Sequence, residues 1–376
     1  MPARLGIVPL LFVLTSACGG ARQSSETPRL VGVIDLRIGA DSDTAQEYVF
    51  GVIDGLVLDE RGRIVVADAK DHTVRVFTDG GRYRYTVGRE GQGPGDLSGP
   101  CCLNVLSSGL LWIKENGNHR YSVFRLGESE AKFLRSVRGS SSYVVSSDRV
   151  DFDPEGRLVD LGLTTLAASS AYHIERLRLD SSGVVVARDI APQPPSDSLS
   201  SVSFPAGGGF ATYSQPYGAR ELHAFGAGGE SAHGVSSNYA ILWTDSKGRT
   251  RALAHREIGD GPALSDAERA TTDSMLNTIA LSSGVPRSEL PLKVPERKSR
   301  LEAIGFDLDG RLWIERAVAD QAPGEADLYA RDGTWIATYQ WPTNVTMRFW
   351  AVRGELGLGV EEGVDGAQRV VRLRFK

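Results

Sequence analysis

An all-β ring, a six-bladed β-propeller with one short helical insertion, is the fold class this sequence predicts, and three observations predict it. A D-x-x-G-R turn leading into a β-branched or aromatic run recurs along the chain. Asp59-Glu60-Arg61-Gly62-Arg63 precedes Ile64-Val65-Val66, Asp153-Pro154-Glu155-Gly156-Arg157 precedes Leu158-Val159, and Asp307-Leu308-Asp309-Gly310-Arg311 precedes Leu312-Trp313-Ile314, with a degenerate copy at Ser107-Ser108-Gly109. Apolar residues stand before each turn, so each copy reads as a hairpin. The spacing is regular as well: Gly62, Gly109 and Gly156 stand 47 and 47 residues apart, within the roughly 40 to 50 residues of a propeller blade. Finally, the 376 residues include 43 Gly and 17 Pro but only 3 Met, a composition rich in turns. Hydrophobic residues at 41% and charged residues at 24% belong to a globular chain, and exclude a disordered or multi-span membrane one.

Each copy is followed by a second hairpin, at Arg75–Gly81, Ile174–Val186, Tyr239–Arg251 and Leu328–Ile336. Two hairpins make one four-stranded antiparallel unit. The units fall at about 52–87, 100–137, 148–190, 219–258, 300–340 and 345–375. From Gly156 to Gly310 is 154 residues, three periods with an excess, and the excess has two places to go. Ala191–Ser201 is a Pro/Ser-rich loop, and about 260–299 holds the one helical insertion. There Ser265 and Glu268 form an S-x-x-E capping box, Ala267–Leu281 carries helix formers, and Gly284-Val285-Pro286 stops the helix. The first unit is complete without Val31–Arg37, so that segment is expected to join the last unit as its outer strand. Such N- and C-terminal strand closure leaves only short protected sheet edges, and makes 30–376 one domain.

The start of the chain reads as an address. Met1–Arg4 is positive and Leu5–Leu14 is apolar but too short to span a bilayer as a permanent helix, which makes 1–17 a secretory signal. Leu14-Thr15-Ser16-Ala17-Cys18 resembles the lipobox of bacterial lipoproteins, which implies cleavage before Cys18 and acylation of that cysteine. Thr15 departs from the usual aliphatic residue. Gly19 is not the Asp that, by the same resemblance, retains lipoproteins in the inner membrane, so the outer membrane is implied, with the protein facing the periplasm. Residues 18–29 are polar and small, a flexible tether for a folded head.

Val52–Pro100 resembles an NHL-type repeat: Val66-Ala67-Asp68, then Val76-Phe77-Thr78-Asp79-Gly80-Gly81, then the Gly91-Gln92-Gly93-Pro94-Gly95-Asp96-Leu97 loop. The mature chain as a whole resembles the six-bladed β-propeller lipoproteins of bacteria. The resemblance implies a fold and an envelope location but no single activity, since propellers host binding modules, lactonases, lyases and scaffolds alike.

Candidate chemistry is sparse. The Gly91–Gly95 loop lacks the strand, the G-K-[ST] ending and the helix of a phosphate loop, and reads as a turn between blades. Gly229-Glu230-Ser231-Ala232-His233 is not G-x-S-x-G. His72, His119, His173, His223, His233 and His255 show no H-x-x-x-H or H-E-x-x-H metal spacing, and read as polar surface or hairpin residues. With Cys18 assigned to lipid, Cys101 and Cys102 remain; they either close a vicinal disulfide or face alternately from one strand. Trp112, Trp313, Trp335, Trp341, Trp350 and Phe77 lie in strand patterns as core between blades. One pattern does carry a site. Eight residues before the turn glycines Gly62, Gly156, Gly229 and Gly310 stand Asp54, Asp148, Glu221 and Glu302. Equivalent ends of inner strands face one mouth of a propeller channel, so these acids either ring a Ca²⁺ there, as a hydrolytic lactonase- or lyase-like propeller requires, or cap strand starts and face solvent. Cys101 holds that register in the second unit, against a simple metal ring.

No catalytic residue is assigned, and the leading expectation is a binding module for a small molecule, a glycan or an envelope protein. With Lys plus Arg 42 against Asp plus Glu 47 and a net charge of -5, nothing recommends a nucleic-acid partner, and membrane contact is expected through the N-terminal lipid alone.

Overall fold

The computed structural model of the chain describes residues 28–39, 45–140, 149–165, 172–190, 200–226, 228–245, 247–255, 258–364 and 366–376. The proposed signal, Cys18, Asp148 and most of the 191–201 loop lie outside the described residues. Among the described residues the fold is all-β with one α-helix, and its sheets have a propeller-like arrangement. After β1 (Arg29–Ile38), sheet I holds β2–β5 (Ile53–Leu58, Ile64–Asp68, Thr73–Phe77, Tyr83–Val87) and sheet II holds β6–β9 (Pro100–Val105, Leu110–Glu115, Arg120–Leu126, Ala131–Arg138). Sheet III holds β10–β13 (Asp151–Phe152, Leu158–Thr165, Tyr172–Leu179, Val185–Ile190), and a separate hairpin, β14 and β15 (Ser201–Ala206, Gly209–Ser214), follows it. Sheet IV holds β16–β19 (Glu221–Phe225, Ser231–Val235, Ala240–Thr244, Thr250–His255), and α1 (Asp266–Ser283) comes next.

The remaining strands form one eight-stranded sheet in two halves. Half V is β20–β23 (Leu301–Phe306, Leu312–Arg316, Gly324–Tyr329, Trp335–Trp341); half VI is β24–β26 (Val345–Arg353, Leu356–Glu362, Gln368–Phe375) with β1 on its outer edge. From Gly32 onward β1 runs antiparallel to β26, joining chain start to chain end, while Arg29–Val31 pairs in parallel with β23 and so welds the two halves.

The recurring turn has a physical cause. In Asp59, Asp153, Asp245 and Asp307 one carboxylate oxygen accepts the backbone N–H groups two and four residues on, and the other accepts Nε of the arginine four residues on. An Asp thus satisfies the turn's orphan donors, and Gly62, at φ 78°, supplies the left-handed residue that the turn needs.

Between most neighbouring sheets the contacts are apolar. Val57, Val76, Leu103 and Ile113 belong to a cluster bridging sheets I and II, Tyr121, Val137, Leu158 and Leu177 to one bridging II and III. Further clusters bridge IV to V, V to VI and VI to I. Trp112, Trp313, Trp341 and Phe77 are buried in these clusters, and Trp335 and Trp350 pack against them. First strands approach closely: a Cβ built on Gly55 of β2 would lie 2.7 Å from the Cys101 carbonyl oxygen of β6.

The insertion forms the expected helix. Ser265 Oγ accepts from Glu268 N, the Glu268 side chain accepts from Ser265 N, and Gly284 ends the helix at φ 69°. Its buried face, Leu276 and Ala280, packs with Phe204 of the β14–β15 hairpin and with Leu290 and Leu292 of the segment that follows the helix. That hairpin is an addition to the expected scheme, which left the stretch as connecting chain.

Candidate functional site

One seam differs from the rest. Among the described residues no apolar cluster bridges sheets III and IV. The alternation of the strands explains why. In β12, Leu177 and Leu179 face sheet II, which turns Arg176 and Arg178 the other way; in β16, Leu222 and Ala224 face half V, which turns Glu221, His223 and Phe225 toward sheet III. Polar face meets polar face, and a cavity of about 290 Å³ remains between them, lined by Arg176, Arg178, Asp189, His223, Phe225 and His233 among others. A second cavity of about 200 Å³ shares Arg176, Arg178 and Phe225.

The charged wall is built on the β12–β13 ladder. Arg176 stands directly opposite Asp189, and Asp189 Oδ2 accepts from Arg176 Nη2 at 3.1 Å and pairs with Arg178 Nη1 at 2.5 Å. The Arg176 guanidinium lies 5.6 Å from the Phe225 ring centre, and its Nη1 donates to Gly229 O at 3.4 Å. Arg176 Nε is buried with no hydrogen-bond partner.

The opposite wall is a hairpin. The turn from Gly226 to Glu230 sets the register of β16 and β17 so that His223 stands opposite His233. Opposed residues share a face, and Glu221, two residues from His223, shares it as well. Glu221 Oε1 therefore sits 2.7 Å from His223 Nε2 and 3.2 Å from His233 Nε2. The side chains of His223, His233 and Glu221 are 8%, 9% and 15% exposed. Burial pushes the Glu221 carboxyl up, but the hydrogen bonds and charge of the two imidazoles outweigh it and hold the group down at about 2, so it is ionised across the physiological range. His233 Nδ1 is buried without a hydrogen-bond partner.

The acids sharing one register are placed as follows. Asp54, Glu302 and Cys101 each fall at the bulge of a first strand, where the pairing of β2, β20 and β6 slips. Asp54 is exposed. Glu302 is exposed and pairs with Arg220 at 2.7 Å. Burial, with the Glu302 carboxylate nearby, pushes Glu315 up to about 8. Glu221 turns to its two histidines instead. Among the described residues, Asp54, Glu221 and Glu302 are not gathered within metal-binding reach of one another; the group that is gathered is Glu221, His223 and His233, whose donor atoms all lie within 4.8 Å. Two of the six histidines, expected as polar surface or hairpin residues, do lie in a hairpin, where they stand opposite each other with His233 buried and His223 half-buried. Cys101 and Cys102, both buried, are joined by a disulfide rather than facing alternately as free thiols.

No protein-family model matches the chain and no curated protein matches its sequence. Its shape has relatives among solved structures. A Bacteroides fragilis protein named "putative exported protein" is 10% identical with a TM-score of 0.52, over 92% of this chain and 95% of that one. A member of the DUF4221 family from Bacteroides vulgatus is 10% identical with a TM-score of 0.46, over 93% and 99%. A virginiamycin B lyase from Staphylococcus aureus is 11% identical with a TM-score of 0.41, over 88% and 96%. The first likeness agrees with the propeller-like fold, and at these identities none assigns a ligand or a reaction. Among the described residues no helix is long and apolar enough to cross a membrane.

Proposed function

We propose that this chain is a six-bladed propeller of the NHL type that serves as a binding module for a small polar molecule, held in the cavity between sheets III and IV. Six blades follow if sheets I to IV each count as one and the eight-stranded sheet counts as two halves sharing β1. One observation carries the binding reading. The sole seam described as polar retains a cavity of about 290 Å³, walled by Arg176, Arg178, Asp189, His223 and His233 with the Phe225 ring. The volume lies at the lower edge of ligand cavities, roughly 300–1,000 Å³, which favours a small molecule over a glycan chain or a protein. Guanidinium donors beside a phenylalanine ring favour a compact molecule with a carboxylate or similar acceptor.

Export and lipid attachment at Cys18 complete the reading: the lipid fixes the module on the periplasmic side of the outer membrane, and the tether lets it sample solutes. Thermal-shift and calorimetric screening with small carboxylates and monosaccharides tests the binding part. At least one class should raise the melting temperature, and Arg176→Ala should abolish that rise while the variant still folds. If no compound binds, or if binding ignores Arg176→Ala and Phe225→Ala alike, the cavity is not the site. Incorporation of labelled palmitate in the natural chain and its loss in Cys18→Ala tests the anchor.

A further inference from the structure

We infer that Glu221, His223 and His233 form a binding site for a borderline divalent transition-metal ion, Zn²⁺ in the first place. The donor set is two imidazoles and one carboxylate, which suits Zn²⁺ and its first-row neighbours rather than Ca²⁺, an ion that takes six to eight oxygens. The spacing fits too. Bonds of about 2.0–2.1 Å in a tetrahedron place neighbouring donors roughly 3.3–3.4 Å apart, and here Glu221 Oε1 stands 2.7 and 3.2 Å from the two Nε2 atoms. Side-chain rotations that open the 2.7 Å contact to about 3.3 Å, among donors already within 4.8 Å of one another, would admit the ion.

The scaffold is already in place. His223 and His233 are cross-strand partners in the β16–β17 ladder, and Glu221 is held on the same face of β16. The cluster is largely enclosed: the side chains of His223, His233 and Glu221 are 8%, 9% and 15% exposed, and their three metal-type donors lie within 4.8 Å of one another. Three protein ligands leave a tetrahedral ion one open position, and both histidines line the cavity of about 290 Å³, so an exchangeable ligand has a route to it. The metal site shares this seam with the proposed ligand cavity but does not need an organic ligand to be bound.

The test uses the metal alone. The purified protein is freed of metal with a chelator, kept without thiol reductant so that Cys101–Cys102 stays oxidised, and titrated with Zn²⁺ by calorimetry and with Co²⁺ by absorption spectroscopy. The expected result is one saturable ion per chain, a Co²⁺ spectrum of tetrahedral type, and a raised melting temperature. His223→Ala with His233→Ala should weaken the affinity about tenfold or more, and Glu221→Gln should weaken it with the fold kept. Circular dichroism checks the folding of each variant. If the double variant fails to fold, broadening by Co²⁺ of the imidazole proton resonances in the natural chain decides: two histidines broadened first support the site. Absence of saturable binding, undiminished binding by the folded variants, or even broadening of all six histidines would overturn it.

Discussion

The four Asp turns provide a matched comparison in which the bonds are the same and the burial differs. Asp59 Oδ1 accepts from Arg61 N and Arg63 N, both at 2.8 Å, and its Oδ2 accepts from Arg63 Nε at 2.7 Å. Asp245 does the same with Lys247 N and Arg249 N, both at 2.9 Å, and with Arg249 Nε at 2.8 Å. The Asp59 and Arg63 side chains are 2% and 10% exposed, those of Asp245 and Arg249 30% and 75%. Truncating Asp59 leaves a buried guanidinium with only its bond to Gly127 O, at 3.1 Å. Removing one partner of a buried pair costs about 3–5 kcal/mol, because the stranded charge cannot reach water. Truncating Asp245 strands nothing, since water takes over both the arginine and the turn amides. Asp59→Ala should therefore lower the urea midpoint far more than Asp245→Ala, with unchanged slopes followed by circular dichroism. Asp59→Asn, which keeps the oxygen that serves the two amides, should fall between. Equal midpoint shifts for the two Ala variants would refute the argument that burial, rather than bond count, sets the strength of these turns.

Glu315 gives a pH dependence with a definite sign. Its folded-state carboxyl sits at about 8 against an ordinary 4.5, so the folded state binds the proton more tightly, and this contribution to stability is present below about 4.5 and lost as pH rises through about 8. The melting temperature of the natural chain should fall across that window and that of Glu315→Gln should fall less; parallel curves would contradict the assignment. The closing strand is tested at Gly32, where an added Cβ would stand 2.8 Å from Phe375 Cε1 and 2.9 Å from Leu373 Cδ2, both on fully buried side chains. Gly32→Ala should cost about 1–3 kcal/mol by overpacking and speed hydrogen exchange in β1 and β26 before sheets II and III; uniform exchange would show that the strand does not lock the ring.

Some of this was legible in the residues, and the boundary of legibility has physical causes. Local chemistry was readable: the Asp turns, the capping box at Ser265 and Glu268, and the spare segment at Val31–Arg37 each depend on neighbours within a few positions or on simple arithmetic. The β14–β15 hairpin was not read, although Gly207-Gly208-Gly209 lies between two alternating runs, because a proline-rich loop precedes it and no Asp turn marks it. The shared register of Asp54, Cys101 and Glu302 was real, yet ligation does not follow from register. All three sit in bulges, and a bulge re-aims a side chain independently of the count along the strand.

The histidines were missed for a different reason. Metal spacings such as H-x-x-x-H are helical rules, whereas His223 and His233 are related by reflection across a turn: five residues before and five after position 228. Testing residue pairs for symmetry about the centre of each turn would have found them, with Glu221 following from the two-residue period of its strand. The polar seam needed more than that. The patterns Glu175-Arg176-Leu177-Arg178-Leu179 and Glu221-Leu222-His223-Ala224-Phe225 each display a polar face, but a polar face on one strand ordinarily means solvent. It means a site only once the order of the sheets sets the two faces against each other, and that order is a property of the whole propeller-like arrangement rather than of either segment.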